Sequence, residues 1–195
     1  MPDYRLTQSV PGSETGETRF ALKGFTLDVV PGLALASVAA RNGKEDAAAA
    51  QLSNIMGTGL PLAGAFCQGP EQTAFWIGRD QWMIVADHET HEQLAAELKS
   101  SLGDAASVTE QNDGWICLDV TGPDLPRLFE RLMHADANAL REGAAIRTVI
   151  EHVGCFILCL ETDRHYRLFA GRSYGRSLFH ALSEGLRSTV AIQAC

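Results

Sequence analysis

The segment from Gln111 to Ala135 constrains the fold more than any other part of the chain, because it predicts a strand followed at once by a helix. Asp113-Gly114 is a typical turn, and Trp115 to Val120 is rich in strand-forming side chains. Gly122-Pro123 ends the strand and sets the backbone for a first helical turn. The apolar residues that follow recur with helical spacing, at Leu125, Leu128, Phe129 and Leu132. One apolar helix face must then lie against a sheet.

Upstream of this unit, strand and helix signals alternate. The apolar run from Leu33 to Ala40 predicts a strand, and Lys44 to Ile55 is helix-prone. Two strand segments, Thr73 to Ile77 and Gln81 to Ala86, flank the turn Gly78-Arg79-Asp80.

A second helix and a closing strand complete this half. Thr90 and Gln93 predict a capping box for a helix that ends near Gly103, and Ala106 to Thr109 predicts a strand. Leu94, Leu98 and Leu102 should face inward. The order β-α-β-β-α-β is that of a ferredoxin-like subdomain.

The second half continues after its first helix with strands predicted at Ala145 to Glu151, Val153 to Leu160 and Tyr166 to Ala170, then a helix from about Tyr174 to Leu186. The predicted fold class is α+β, with two halves sharing one core. We predict a flexible N-terminal arm at 1–19, a first subdomain at 20–110, a second at 111–187 and a C-terminal tail at 188–195. Deleting the arm should not unfold the protein.

Composition excludes several classes of function. In a chain of 195 residues, 46% hydrophobic content is enough for a sizeable core. A net charge of −8, with 16 Lys and Arg against 24 Asp and Glu, argues against a nucleic-acid partner. No signal peptide and no apolar run of roughly 20 residues is recognisable, so we expect a cytoplasmic protein without membrane contact. Its five cysteines, an odd number, fit a reducing compartment.

Motifs for covalent, metal or phosphate chemistry are not found. Cys155 and Cys159 would lie about 13 Å apart in a strand, which favours core packing over a shared zinc or a disulfide. The glycines between Gly57 and Pro70 match no dinucleotide or phosphate loop, and predict a flexible or partner-contacting loop. Asp136, beside His134, is expected to cap a turn rather than to support catalysis. We therefore expect no catalytic, cofactor-binding or metal-binding residues.

The most distinctive polar cluster is Gly171 to Ser177, where a strand leads into the last helix. Arg172 and Arg176 lie at a helix N-terminus, where the dipole opposes positive charge, so an anionic group should compensate them. Carboxylates or carbonyls of the same chain, acids of a neighbouring subunit, and a bound anion remain open as partners.

Four motifs in order resemble the gamma subunit of heterotetrameric sarcosine oxidase. They are Phe75-Trp76-Ile77-Gly78-Arg79-Asp80-Gln81-Trp82, Asn112-Asp113-Gly114-Trp115, Thr121-Gly122-Pro123 and Gly171-Arg172-Ser173-Tyr174. The resemblance covers residues 20–187 and is clearest from 74 onward. Arg79 stands where related sequences often carry Pro, and Asn112 where they often carry Ser; both lie in turns. This family is related to the aminomethyltransferases of the glycine cleavage system.

The resemblance implies an aminomethyltransferase-like folate-binding fold built from ferredoxin-like βαββαβ subdomains. It also implies an assembly with alpha, beta and delta subunits. That assembly oxidises sarcosine to glycine, passes the one-carbon unit to tetrahydrofolate or releases formaldehyde, and produces hydrogen peroxide. FAD, FMN, NAD and tetrahydrofolate would be bound by the partner subunits, with no cofactor in this chain.

Three hypotheses follow. The leading one is a non-catalytic gamma subunit, with no activity expected from this chain alone, that contacts its partners through hydrophobic groups at the Gly57 to Pro70 loop and through Arg172, Tyr174 and Arg176. The alternative is a free-standing folate-binding or folate-dependent one-carbon transfer protein. A third is an independent homodimeric scaffold.

Overall fold

A computed structural model describes residues 16–193, within which eleven strands and four α-helices are present. The strands are β1 (Arg19–Leu22), β2 (Phe25–Val29), β3 (Leu33–Ala40), β4 (Phe66–Gln68), β5 (Gln72–Gly78), β6 (Gln81–Asp87), β7 (Ala106–Glu110), β8 (Trp115–Thr121), β9 (Ala145–Ile150), β10 (Val153–Glu161) and β11 (His165–Gly171). The helices are α1 (Glu45–Met56), α2 (Leu94–Leu102), α3 (Pro126–Phe129) and α4 (Gly175–Gln193).

The five-stranded sheet has the order β4-β5-β6-β3-β7. Strand β6 runs antiparallel between β3 and β5, and β7 closes the other side of β3. This arrangement confirms the βαββαβ subdomain predicted for the first half, with β4 as an additional edge strand.

The six-stranded sheet has the order β1-β2-β8-β11-β10-β9. Its inner strands β2-β8-β11-β10 repeat the order β7-β3-β6-β5 of the other sheet, and β9 corresponds to β4. The strand next to β8 is supplied by the N-terminal residues 25–29, so the second subdomain is a ferredoxin-like unit completed from the start of the chain. A division at residue 110 would instead place β1 and β2 with the first half.

The molecule has four layers. Helices α1 and α2 cover the outer face of the five-stranded sheet, and α3 and α4 cover the outer face of the six-stranded sheet. The two inner faces pack on each other through a third apolar cluster. At its centre the ring of Phe75 lies 5.4 Å from Phe156 and 5.0 Å from Phe169, measured between centroids. Paired aromatic rings therefore fill the space between the sheets.

The loop predicted between Gly57 and Pro70 joins the sheets along one edge. It contains β4, and Ala65 forms a bridge with Ala144 just before β9. The amide of Ala145 donates to the carbonyl of Gly64 at 2.9 Å. Leu62, at the outside of this loop, is 82% exposed.

Two helices differ in length from their predictions. Helix α3 is a single turn, because after Phe129 the chain continues in turns with bonds such as Leu132 N to Phe129 O, and Met133 then bridges to Ile150 of β9. Leu125, Leu128 and Phe129 are nonetheless buried as predicted. Helix α4 extends beyond the predicted end at Leu186 to Gln193.

The capping box predicted at Thr90 and Gln93 is wrong. Gln93 is the N-cap of α2 but makes no side-chain cap bond, and the Thr90 hydroxyl donates to the carbonyl of Asp87 instead. Leu94, Leu98 and Leu102 are buried as predicted.

At the N-terminus, Thr18 and Arg19, which the sequence assigns to the arm, belong to the fold. The amide of Val29 donates to the carbonyl of Thr18 at 2.8 Å, and Arg19 pairs with Asp28 across β1 and β2. Residues 1–15 of the predicted arm lie outside the described residues.

Candidate functional site

Two of the sequence motifs meet where the strand ends of both sheets converge. Trp115 pairs with Gly171 in the register of β8 and β11, and the amide of Arg172 donates to the carbonyl of Gly114 at 2.9 Å. The Asn112 carboxamide oxygen accepts from the amide of Leu35 at 2.6 Å. Both motifs are recognisable in the sequence, but their contact with each other is seen only in the structure.

These motifs line a cavity of about 860 Å³, which we name the inter-sheet cleft. Its apolar walls come from the start of β3 and β8 and from the connection between β2 and β3, including Leu33, Leu35, Trp115 and Cys117. Its charged residues are Asp87, Glu89, Glu110, Asp113 and Arg172. Arg172 therefore faces a cleft whose other charged side chains are all carboxylates of its own chain.

A second cavity lies on the far side of the six-stranded sheet. We name it the helix groove; it has a volume of about 840 Å³ and runs between α4 and the turns after α3. It is lined by Arg131, Leu132, Glu151, Arg176, Ser177, His180, Ala181, Glu184, Gly185 and Ser188. Arg172 and Arg176 were both predicted to contact partner subunits, but they line different cavities.

Tyr174 lies between these two arginines in a short 3-10 turn, Arg172–Tyr174, that leads into α4. Its side chain is 55% exposed and its ring lies over Gly171, where a Cβ atom would come 3.5 Å from Cδ2. Because this exposed ring is already held against the backbone, a partner protein can contact it with little loss of side-chain conformational entropy.

The thiols of the described cysteines are held neutral by burial. Desolvation raises the pKa of Cys155 to about 12 and raises those of Cys117 and Cys159. Cys155 and Cys159 both belong to the core between the six-stranded sheet and its helices, which confirms the packing role predicted for them. Half-buried Cys67 has its pKa raised for the same reason. Neutral thiols are poor nucleophiles and poor metal ligands.

A polar cluster that the sequence did not reveal lies on the inner face of the six-stranded sheet. Arg167 donates two hydrogen bonds to the carboxylate of Asp119, at 2.7 and 2.8 Å. This hydrogen bonding raises the pKa of Arg167 above its usual value. His165 Nε2 lies 3.2 Å from Asp119 Oδ2 but outside hydrogen-bonding geometry. Arg167 and Asp119 lie opposite each other in the register of β11 and β8. The sequence could have indicated this cluster only if that register had been known.

The remaining candidates have structural roles. Asp136 caps the short turn Ala137–Ala139 by accepting a hydrogen bond from the amide of Asn138 at 3.0 Å, as predicted. Among residues 16–193, no three His, Cys, Asp or Glu side chains are grouped closely enough to bind a metal ion. Within the same range, no helix has the length and apolar character needed to cross a bilayer.

Comparison with solved structures identifies the fold. The chain is similar to heterotetrameric sarcosine oxidase from Corynebacterium sp. U-96 in complex with pyrrole 2-carboxylate, with a TM-score of 0.72 and 20% identity over 84% of both chains. It is also similar to the glycine cleavage system aminomethyltransferase T from Bartonella henselae, with a TM-score of 0.60 and 15% identity over 80% of this chain and 44% of that one. The chain therefore has the aminomethyltransferase-like α+β fold. The sequence matches no family model and no curated protein.

Proposed function

We propose that this chain is a non-catalytic gamma subunit of a heterotetrameric sarcosine oxidase. The observation that carries the proposal is the fold match to a heterotetrameric sarcosine oxidase over 84% of both chains. In the proposed assembly, cytoplasmic alpha, beta and delta subunits hold FAD, FMN, NAD and tetrahydrofolate. They oxidise sarcosine to glycine, with one-carbon transfer to tetrahydrofolate or release of formaldehyde, and produce hydrogen peroxide.

The packing between the sheets supports a structural role. The centre of the space between the two inner faces is filled by Phe75, Phe156 and Phe169, and the thiol of Cys117 beside them is neutral. Exposed groups suited to contact lie on the outside, at Leu62 and Tyr174. We propose that the loop between Gly57 and Pro70 and the segment with Arg172, Tyr174 and Arg176 contact the partner subunits.

Co-expression tests the proposal. The three partner subunits are produced with and without this chain, and the assembled complex is measured by sedimentation and by sarcosine-dependent hydrogen peroxide formation. We expect the chain to co-purify in stoichiometric amount, and its omission to reduce both the yield of assembled complex and its activity. Equal assembly and activity without the chain would refute the proposal.

A second function is favoured by one feature, the size of the inter-sheet cleft. A cavity of about 860 Å³ lies within the range of small-molecule sites. A free-standing folate-binding or one-carbon transfer protein would bind tetrahydrofolate there. The charge of the cleft weighs against it, because the carboxylates of Asp87, Glu89, Glu110 and Asp113 would repel the glutamate tail of a folate. Titration calorimetry of the purified chain with tetrahydrofolate separates the two functions, since only the second predicts saturable binding.

A further inference from the structure

The helix groove is lined by basic side chains, and two of them have no partner within residues 16–193. In the part of the chain that the structure describes, the side chains of Arg176 and His180 make no hydrogen bond and no ion pair. Arg131, on the opposite wall, donates a hydrogen bond to the hydroxyl of Ser188 at 2.8 Å. By contrast, the carboxylate of Glu184 is already paired with Arg187 at 3.1 Å.

Arg176 is also placed unfavourably by its own helix. It occupies the first turn of α4, and that turn contains no acidic residue. The helix dipole opposes a positive charge at this end, and no carboxylate within the turn offsets it. Because His180 follows four residues later, both side chains project from the same face of α4. An incoming carboxylate would therefore meet two favourable groups and the positive end of the dipole.

The floor of the groove is apolar and closely packed. Leu132, Ala181 and Gly185 form it, and a Cβ atom at Gly185 would come 2.7 Å from Leu128 Cδ1 and 3.0 Å from Leu132 Cδ1. The missing side chain at Gly185 lets α4 lie directly on α3 and on the turns that follow it. A groove with an apolar floor and an arginine on each wall suits a side chain that has both an aliphatic stem and a carboxylate.

Arg172 provides the contrast within the same segment. The inter-sheet cleft that it faces is lined by four carboxylates of this chain, so an additional acid would be repelled there. The helix groove is lined by two arginines and by Glu151 and Glu184, and because Arg187 pairs with Glu184, one positive charge remains in excess there. An acidic partner is thus directed to Arg176 and Arg131 rather than to Arg172.

From these observations we infer that the helix groove docks an acidic segment of a partner subunit, whose Asp or Glu carboxylates bind Arg176 and Arg131. The inference rests on the proposed function, because the partner is one of the subunits named there. It adds the chemistry of the contact and its location on the face of α4.

Charge reversal tests the groove. Arg176→Glu and Arg131→Glu are compared with Arg79→Glu. Arg79 is the matched control because its side chain, in the turn between β5 and β6, is 96% exposed. Each full-length variant is titrated into the co-expressed alpha, beta and delta subunits at increasing NaCl. We expect each groove variant to bind about tenfold more weakly, with a reduced salt dependence, and the control to bind like the unchanged chain. Circular dichroism and thermal unfolding of the variants confirm that the fold is kept.

Cross-linking then identifies the bound group. Arg176→Lys places a primary amine in the groove. A carbodiimide activates a carboxylate in direct contact as an O-acylisourea, and the amine displaces it to form an amide while the carbodiimide leaves as the urea. We expect a cross-linked peptide that joins position 176 to an Asp or Glu of a partner subunit, and none from Arg79→Lys. A cross-link only to Glu151 or Glu184 of the same chain would overturn the inference.

The outcomes separate the inference from the proposed function. If the unchanged chain binds none of the three subunits, both fail. If it binds them and the groove variants bind like the Arg79→Glu control, the inference fails alone. If the isolated chain sediments as a dimer and Arg176→Glu makes it monomeric, the occupant is a second copy of the chain, and the inference is again overturned.

Discussion

Gly122 shows how one residue of the Thr121-Gly122-Pro123 motif is fixed by packing. Its φ is +154°, and a Cβ atom there would lie 2.3 Å from Cδ1 of Phe25. Phe25 is a fully buried residue of β2, and β2 pairs with β8 immediately before the glycine. The motif therefore depends on a contact between residues far apart in the sequence.

Gly122→Ala should lower the free energy of unfolding by about 2–3 kcal/mol, because the new methyl group meets the Phe25 ring in a conformation unfavourable for alanine. Gly154→Ala is the control, since no atom lies within 4 Å of a Cβ atom at that position. Its effect should stay within about 0.5 kcal/mol. Urea denaturation measures both, and equal effects would contradict the packing described for Gly122.

At the residue scale, the sequence predicts local chemistry well where the partner is close in the chain. The cap at Asp136 acts on Asn138 two residues later and is confirmed. The capping box at Thr90 and Gln93 fails because the carbonyl of Asp87 offers the Thr90 hydroxyl a competing acceptor. The pairing of Asp119 with Arg167 depends on strand register, which residue types alone do not determine.

Among the elements, helix α4 is longer than predicted, because its apolar periodicity continues beyond the predicted end at Leu186. Leu178, Leu182 and Leu186 are buried, and Val190 continues the same spacing with 7% exposure. The hydroxyl of Thr189 donates to the carbonyl of Gly185 at 2.9 Å, within the last turns. Residues 188–193 therefore belong to the packed helix, where the sequence predicted a tail from 188.

The extension of α4 can be tested with two neighbouring substitutions. Val190→Ala should destabilise the protein by about 1–2 kcal/mol, because it removes buried methyl groups. Ile192→Ala, at a side chain 60% exposed, should change stability by less than about 0.5 kcal/mol. Thermal unfolding of both variants checks this. A neutral Val190→Ala would show that the helix does not pack there in solution.

The sequence predicts the bounds of most strands closely, but it does not predict β1, β2 or β4. The strands from β5 to β11 lie within one or two residues of their predicted bounds, because alternation and flanking turns mark both ends. Helix α3 was predicted too long, since the same apolar spacing is satisfied by one helical turn followed by turns that lead Met133 to β9. Local periodicity cannot distinguish these two conformations.

For the whole molecule, the sequence predicts the βαββαβ order of the first half but not the completion of the second. The strand Phe25–Val29 is not among the predicted strands, and nothing local indicates that its neighbour is β8. The two cavities were missed for the same reason. Each is formed by segments that only the packing of both sheets and their helices brings together.

Burial of titratable groups on both faces of the six-stranded sheet should make the fold sensitive to alkali. Desolvation raises the pKa of Cys155 and of Tyr166 to about 12 and raises that of Cys117, whereas an unfolded thiol titrates near about 8.5. Above that pH the unfolded chain binds fewer protons than the native one, so the free energy of unfolding falls as pH rises. The expected slope is about 1.4 kcal/mol per pH unit for each buried thiol.

Urea denaturation between pH 7.5 and 10.5 measures this slope. Cys155→Ala should reduce the slope of the free energy of unfolding against pH by the contribution of one thiol, about 1.4 kcal/mol per pH unit. Ile157→Val, a fully buried change in the same strand without a titratable group, should lower stability and leave the slope unchanged. Identical slopes for the two variants would contradict the raised pKa of Cys155.

The pairing of β2 with β8 also sets an order on synthesis. Thr26 and Thr121, whose hydroxyls lie 2.8 Å apart, are separated by 95 positions in the chain. A ribosome adding about 5–20 residues per second needs roughly 5–20 s to cover that distance. Throughout that interval the newly made β1–β2 hairpin has an open edge with no native strand to receive it. The first strands to be translated are therefore the ones that must wait for their neighbour.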